Sequence, residues 1–262
     1  MIFYFTATGN SFFAVEKLRS ENETIVSIAK SYRDSHYTFD AKHEQNIGFV
    51  FPVYFFGIPY IVAKFIHRIE IAMPYNAYVY LVLTCGGATG QAGRLFKHAL
   101  AAKGITLNAQ FAVKTPENYI PFFSVPNIEK QQQILSRAAA SLIVIQQKIV
   151  HHANGDHNRC KGPLPALLTK FIYPRYDKTR NTKKFRVADS CNGCGLCVNF
   201  CPDKAIALQG KNPVWVKPQC SLCLACVHRC PKHAIDFGSG TRNKTRYVNA
   251  ALSREKYALV TR

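Results

Sequence analysis

The chain has 262 residues, 48% of them hydrophobic and 12% aromatic, a globular composition that excludes a disordered or low-complexity protein. Its net charge of +19 is unevenly spread: residues 1–150 hold 14 Lys and Arg against 9 Asp and Glu, whereas residues 151–262 hold 20 against 6. The length allows one large domain or two unequal ones, and the change of character near residue 150 argues for two.

The first part of the chain alternates. Residues 2–6 (IFYFT) read as a strand and residues 10–20 as a helix capped by Asn10 or Ser11. Residues 24–29 and 47–53 are short, apolar and partly β-branched, as buried strands are. A helix is predicted over 59–70 with a proline in its first turn, the strongest strand over 77–85, and a glycine-terminated helix over 90–104. A fifth strand at 106–113 and a long closing helix at 127–153 complete the pattern. The uncharged runs 47–63 and 71–93 are interrupted by Pro52, Gly57 and Pro59, and by Pro74, Asn76 and a glycine-rich loop, so neither is expected to span a membrane. The first apolar stretch lacks the basic leader and cleavage site of a signal peptide, which predicts a cytoplasmic chain whose ten cysteines are reduced.

Five strands separated by helices predict an α/β domain built on a doubly wound five-stranded parallel sheet, with ligands at the carboxyl ends of its strands. Three loops leave those ends, at 6–11, 52–58 and 85–90. The first, TATGNS, combines hydroxyls, an amide and a glycine with no lysine or arginine, which suits an anion wrapped by N–H groups at a helix start. It has neither the lysine and spacing of a triphosphate loop nor the glycines of a dinucleotide fingerprint.

Residues 154–186 read as a connector with several prolines and a basic run (Lys170, Arg175, Lys178, Arg180, Lys183, Lys184, Arg186). Beyond it, CNGCGLCVNFCPDKAIAL (191–208) recurs as CSLCLACVHRCPKHAIDF (220–237), a repeat of 29 residues in which each copy has the spacing CxxCxxCxxxCP. Three cysteines two residues apart can surround one face of an iron–sulfur cube, while the fourth, carried away by the proline turn, ligates the other cube. The spacing therefore assigns Cys191, Cys194, Cys197 and Cys230 to one [4Fe–4S] cluster, and Cys220, Cys223, Cys226 and Cys201 to a second. Two zinc sites are the alternative, but zinc requires only paired CxxC ligands and accounts for neither the third cysteine nor the CP. This stretch resembles the bacterial two-cluster ferredoxins over residues 187–238, which implies a small α+β domain there and a basic tail over 239–262.

The stretch FTATGNS, in turn, resembles the phosphate loop of the flavodoxins, which holds the phosphate of FMN through hydroxyls and amides alone. The resemblance implies side-chain donors at Thr6, Thr8, Asn10 and Ser11 and amide donors at Ala7 and Gly9, within a flavodoxin-like domain over 1–153. The second loop, from Pro52, would then offer Tyr54, Phe55 and Phe56 to stack on the flavin, with the Gly57 carbonyl at its N5 position. The third would bring Thr84, Cys85, Gly86 and Gly87 to the pyrimidine edge. The acidic residues usual around that flavin are missing, and the tyrosines and phenylalanines fit ordinary core packing equally well. The whole chain is similar to the flavodoxin–ferredoxin fusions of anaerobes, the EFR1-family ferredoxins.

Cys85 is expected to be a small core hydrophobe rather than a redox thiol, and His228 a surface histidine. His151, His152, His157 and Cys160 crowd one helix end and are expected to be solvated rather than to hold a metal. The chain thus reads as an electron-transfer protein that joins FMN, a carrier of one or two electrons, to two one-electron clusters. A flavoenzyme reducing a small substrate is the alternative, and a basic nucleic-acid-binding protein is disfavoured because no such motif is present. The cofactor charges would lower the total to about +13, and the remaining basic face suits an acidic ferredoxin, flavodoxin or reductase as partner.

Overall fold

The computed structural model describes residues 1–254. Its first half runs β1 (Ile2–Tyr4), α1 (Asn10–Leu18), β2 (Ile25–Ser27), α2 (Ile28–Asp34), β3 (Thr38–Asp40), β4 (Asn46–Pro52), α3 (Tyr60–Arg68), β5 (Glu70–Ala72), β6 (Tyr78–Cys85), α4 (Ala92–Ala101), β7 (Ala109–Lys114) and α5 (Ile128–Val150). The main sheet has the order β2-β1-β4-β6-β7, every neighbour parallel. Counted along the chain these strands are 2-1-3-4-5, the flavodoxin-like order, and the direction of winding reverses between β1 and β4. A two-residue strand, β8 (Gly155–Asp156), adds a sixth position beside β7, one more than the five expected.

The central strands are buried on both faces, and this fixes the layers. Phe3, Phe49, Phe51, Leu81 and Leu83 pack under α3 and α4 on one side. Tyr4, Val50, Val82, Phe111 and Val113 pack under α1 and α5 on the other. Each such side chain removed from water contributes roughly 1.5–3 kcal/mol, so the layers are held from both sides. Residues 24–29, expected as one strand, divide: only Ile25–Ser27 is extended, and the Ser27 hydroxyl accepts the N–H of Lys30 to start α2. The small parallel pair β3–β5 lies apart from the main sheet.

The connector is not an open linker. Pro165–Thr179 forms α6, opened by Pro165 in its first turn and carrying Pro174 inside. After it come β9 (Phe185–Val187), α7 (Leu196–Phe200), β10 (Ile206–Gln209), β11 (Asn212–Trp215), α8 (Ala225–His228) and β12 (Ile235–Phe237). Here β10 pairs with β11 and β9 with β12, both antiparallel, and each cysteine run leads into one of the two short helices. The architecture is therefore a flavodoxin-like α/β domain followed by a small α+β ferredoxin-type domain. In the tail, where the sequence NAALSREKYALV over 249–260 suits one short helix, Ala250–Arg254 forms a short 3-10 turn and the remainder lies outside the described residues. No helix among the described residues is long and apolar enough to cross a membrane.

Candidate functional site

The loops after β1, β4 and β6 converge, as the reversal of winding requires, on one cavity of about 490 Å³, within the range of roughly 300–1,000 Å³ typical of ligand sites. Thr6, Ala7, Thr8, Asn10 and Ser11 line it from the first loop, Pro52, Tyr54, Phe55 and Phe56 from the second, and Thr84, Cys85, Gly86 and Gly87 from the third. Two residues expected there stand outside. Gly9, at φ +98°, faces Asn249, and Gly57 faces Tyr173, whose ring leaves no room for a Cβ.

The first loop is held by its own polar atoms. Thr6 Oγ1 accepts the N–H of Gly9 (3.0 Å), and the Ser11 and Thr84 hydroxyls are paired (2.8 Å). Thr8 Oγ1 accepts from Asn118 Nδ2 (2.6 Å). Asn10 is held by the protein: its Nδ2 donates to Pro116 O (3.0 Å), and its Oδ1 accepts from Tyr247 Oη (2.6 Å) and Asn249 Nδ2 (3.3 Å). Gly9, and no side chain, caps α1, contrary to the cap expected at Asn10 or Ser11. The hydroxyl protons of Thr6 and Thr8, one proton of the Ser11–Thr84 pair, one N–H of Asn10 Nδ2 and the first amides of α1 are donors left to an anion.

The second loop is a tight turn. Tyr54 and Gly57 exchange both backbone bonds (3.1 and 2.9 Å), and between them Phe55 and Phe56 take φ values of 51° and 64°. Two consecutive left-handed residues without glycine cost about 1–2 kcal/mol each, strain of the kind that collects at ligand sites. The Gly57 carbonyl expected at the flavin is thus engaged with Tyr54, and Phe56 O accepts from Thr169 Oγ1 (2.9 Å). Phe55 stacks on Tyr176 (5.2 Å between centroids, 24°) and meets Tyr119 edge-on (5.3 Å).

Four cavity residues escaped sequence reasoning. Glu117 supplies a carboxylate beside Gly86, and its Oε1 accepts the N–H groups of Asn118 (2.9 Å) and Tyr119 (2.8 Å), which corrects the expected lack of an acidic residue. Arg175 of α6 brings a guanidinium to a cavity whose phosphate-type loop has no cation. Asn118 holds Thr8, and the Tyr119 hydroxyl is buried without a hydrogen-bond partner among the described residues. An orphaned hydroxyl in the wall is the mark of a polar ligand atom that completes it.

Cys191, Cys194, Cys197 and Cys230 line one small cavity, together with Cys226 of the second repeat. Cys220, Cys223 and Cys226 lie near Cys201, and burial pushes Cys220 up to about 12 and Cys223 and Cys226 well above the usual thiol range, so an ion must displace their protons. Backbone N–H groups of Ala205, Leu222 and Ala234 donate to the sulfurs of Cys201 (3.3 Å), Cys220 (3.4 Å) and Cys230 (3.4 Å), the arrangement that tunes an iron–sulfur site. No three metal-ligating side chains close on a single-ion site among the described residues. His151, His152 and His157 are dispersed: the last two stack on Tyr78 and Phe111.

The two halves meet through this site. Leu222, Cys223 and Leu224 form a wall of the cavity, beside Tyr54. Arg180 is buried rather than solvated; it stacks on Tyr60 (3.4 Å), and its Nε donates to Cys220 O (2.8 Å) and its Nη1 to Asp177 Oδ1 (2.6 Å). His228 is 3% exposed, not on the surface. Its Nε2 donates to Asn118 O (2.9 Å) and its Nδ1 accepts from Tyr247 N (3.1 Å), and burial lowers its pKa to about 4, so it is neutral.

A family model described as a 4Fe-4S dicluster domain matches residues 183–231. No curated protein matches the chain. Among solved structures, the Trp repressor binding protein from Bacillus subtilis is 12% identical with a TM-score of 0.33, covering 53% of this chain and 96% of that one. An azoreductase from Bacillus anthracis str. Sterne is 11% identical with a TM-score of 0.36, covering 56% and 98%. An FMN-dependent NADH-azoreductase from Bacillus anthracis str. Ames Ancestor, in complex with FMN, is 11% identical with a TM-score of 0.34, covering 56% and 98%. At these scores the likeness says nothing about what the chain binds.

Proposed function

We propose that this is an electron-transfer protein of the flavodoxin–ferredoxin fusion type, the EFR1 family, with FMN in the cavity, [4Fe–4S] clusters on the two cysteine sets, and a separate redox partner. One observation carries the reading: Cys223, in the ligand run of the second repeat, lies in the wall of the same cavity that the phosphate-type loop lines. A cluster held there stands beside whatever fills the cavity. FMN supplies chemistry in one- or two-electron steps, and each cluster carries single electrons. On this reading the Thr6 and Thr8 hydroxyls and the first amides of α1 hold the phosphate. Tyr54, Phe55 and Phe56 bound the flavin ring, and the backbone of Thr84–Gly87 meets its polar edge. Glu117, a carboxylate beside that edge, disfavours negative charge on the ring and so lowers its potential. Cysteines kept free to serve as cluster ligands fit a reducing, cytoplasmic compartment.

The other cysteine set faces outward, with Cys194 exposed, and is suited to exchange electrons with the partner. Near it, Lys183, Lys184, Arg186 and Arg242 line a basic groove, as an acidic ferredoxin, flavodoxin or reductase would require. Anaerobic reconstitution followed by reductive titration tests the assignment. It predicts one flavin and about eight irons per chain, and reduction of both chromophores. A cluster-loaded chain that takes up no flavin would refute it. A second reading, reduction of a small substrate at the flavin, is favoured by Phe122 and Phe123, which line the cavity while 74% and 54% exposed and so leave its rim open. Turnover of small quinones or azo compounds in the absence of any protein partner would decide for it.

A further inference from the structure

Two cysteines lie outside the repeat, and one of them stands in the cavity wall. Cys85 ends β6, lines the cavity and is buried. Cys160, half-buried, follows β8 on a segment fastened to the third loop. The backbone N–H groups of Thr89 and Gly90 donate to the carbonyls of Cys160 (2.8 Å) and Lys161 (3.2 Å). Asn158 ties the same segment from within: its Oδ1 accepts the N–H of Cys160 (2.8 Å), and its Nδ2 donates to Thr89 Oγ1 (2.8 Å). Across this junction the two thiols interact, each the first influence on the other's ionisation, and Cys85 Sγ also reaches Gly87 O of the same loop (3.8 Å).

We propose that Cys85, in the cavity wall, and Cys160, on the segment fastened to the third loop, are a thiol–disulfide couple, with small-molecule disulfides as oxidant. The proposal does not depend on a flavin or on the clusters. The roles of the two sulfurs differ. The hydrogen bond from Cys85, and then the charge of Lys114, favour the thiolate of the more accessible Cys160, whereas that same bond and burial keep Cys85 a thiol. The Cys160 thiolate attacks one sulfur of a disulfide RSSR, forming Cys160–S–S–R and releasing RS⁻, which takes up a proton. Cys85 then loses its proton and attacks the Cys160 sulfur; the Cys85–Cys160 bond forms and the second RS⁻ leaves, again to be protonated. Two protein thiols are oxidised and one RSSR is reduced to two RSH. The closed disulfide joins the third loop to residues 158–161 and changes a group lining the cavity.

The test uses the anaerobically prepared full chain, equilibrated in glutathione buffers from reduced to oxidised, then alkylated, digested and read by peptide mass spectrometry. The expected product is the peptide of Cys85 joined to that of Cys160, two hydrogens lighter than the sum, appearing with one midpoint. In Cys85→Ser, Cys160 should accumulate as its glutathione mixed disulfide; in Cys160→Ser, Cys85 should stay a thiol throughout. Full alkylation of both residues in oxidised glutathione would overturn the proposal. So would a parent protein that stops at the Cys160 mixed disulfide with Cys85 unreacted.

Discussion

Thr8 accepts a hydrogen bond from Asn118 at its hydroxyl oxygen and another from Asn249 N (2.7 Å) at its carbonyl, so its hydroxyl proton is the part left to serve an anion. Replacing Thr8 with glutamate sets a carboxylate against the phosphate in a loop without a cation, Arg175 being on α6. The Thr8→Glu chain should retain less than about a tenth of its flavin while both clusters form; stoichiometric flavin would place the anion site elsewhere. Cys201→Ala should damage the cluster of Cys220, Cys223 and Cys226 and spare the one of its sequence neighbours, and EPR or Mössbauer spectra would show which is lost. Alkylation of Cys160 should reach half its maximal rate below the usual thiol pKa of about 8.5, because the hydrogen bond from Cys85 favours its thiolate. Cys85→Ser should shift that pH profile upward. The eight repeat cysteines were legible because a period of 29 residues with CP endings is written in the chain itself. Glu117 and Arg175 were not, since each reaches the cavity from a segment distant in sequence and carries no spacing signal; nor was the approach of Cys160 to Cys85, two residues far apart in the chain.

At the scale of elements, the strands were legible because β4 (NIGFVFP) and β6 (YVYLVLTC) carry no charge and are apolar at most positions, as burial on both faces demands. α6 was hidden by Pro165 and Pro174 and by a basic run that reads as solvated linker. In fact its Tyr173, Tyr176 and the following Arg180 clamp the halves together: Tyr176 Oη donates to Ser221 O (2.6 Å) and accepts the N–H of Tyr60 (3.2 Å). Arg180→Lys keeps the charge but loses the planar stack on Tyr60 and one of two directed bonds. It should destabilise the chain by roughly 2 kcal/mol, read as a lower urea midpoint at unchanged slope. The tail was equally illegible, for its function lies in long-range partners. Tyr247 links His228, between cluster cysteines, to Asn10 of the first loop. Tyr247→Phe removes the hydroxyl that donates to Asn10 Oδ1 and accepts from Asn249 Nδ2 (3.3 Å); it should weaken FMN binding about fivefold, or roughly 1 kcal/mol, in a fluorescence titration, without altering iron content.

For the whole molecule, the sequence gives a charge excess but not its placement, and the fold supplies that. Lys183, Lys184, Arg186 and Arg242 line one groove, and Arg186 and Arg242 recur with Lys244 and Arg246 in the next. Reversing Lys183, Lys184 and Arg186 to glutamate should slow electron transfer from an acidic ferredoxin or flavodoxin and flatten its decline with ionic strength, with both cofactor spectra unchanged. A triple variant as fast as the parent would remove the docking role. One cysteine set includes the exposed Cys194 and the other reaches the cavity through Cys223, so on the proposed reading the line of transfer runs from the surface through two clusters to the cavity. The central claim is that electrons cross this line inside one chain. Flash photoreduction of the fully loaded protein, followed at flavin and cluster wavelengths across a tenfold dilution, tests it most directly. The account predicts that one chromophore gives its electron to the other with a first-order rate constant unchanged by dilution. A rate that falls in proportion to protein concentration would mean that the cofactors communicate only between molecules, and would contradict it.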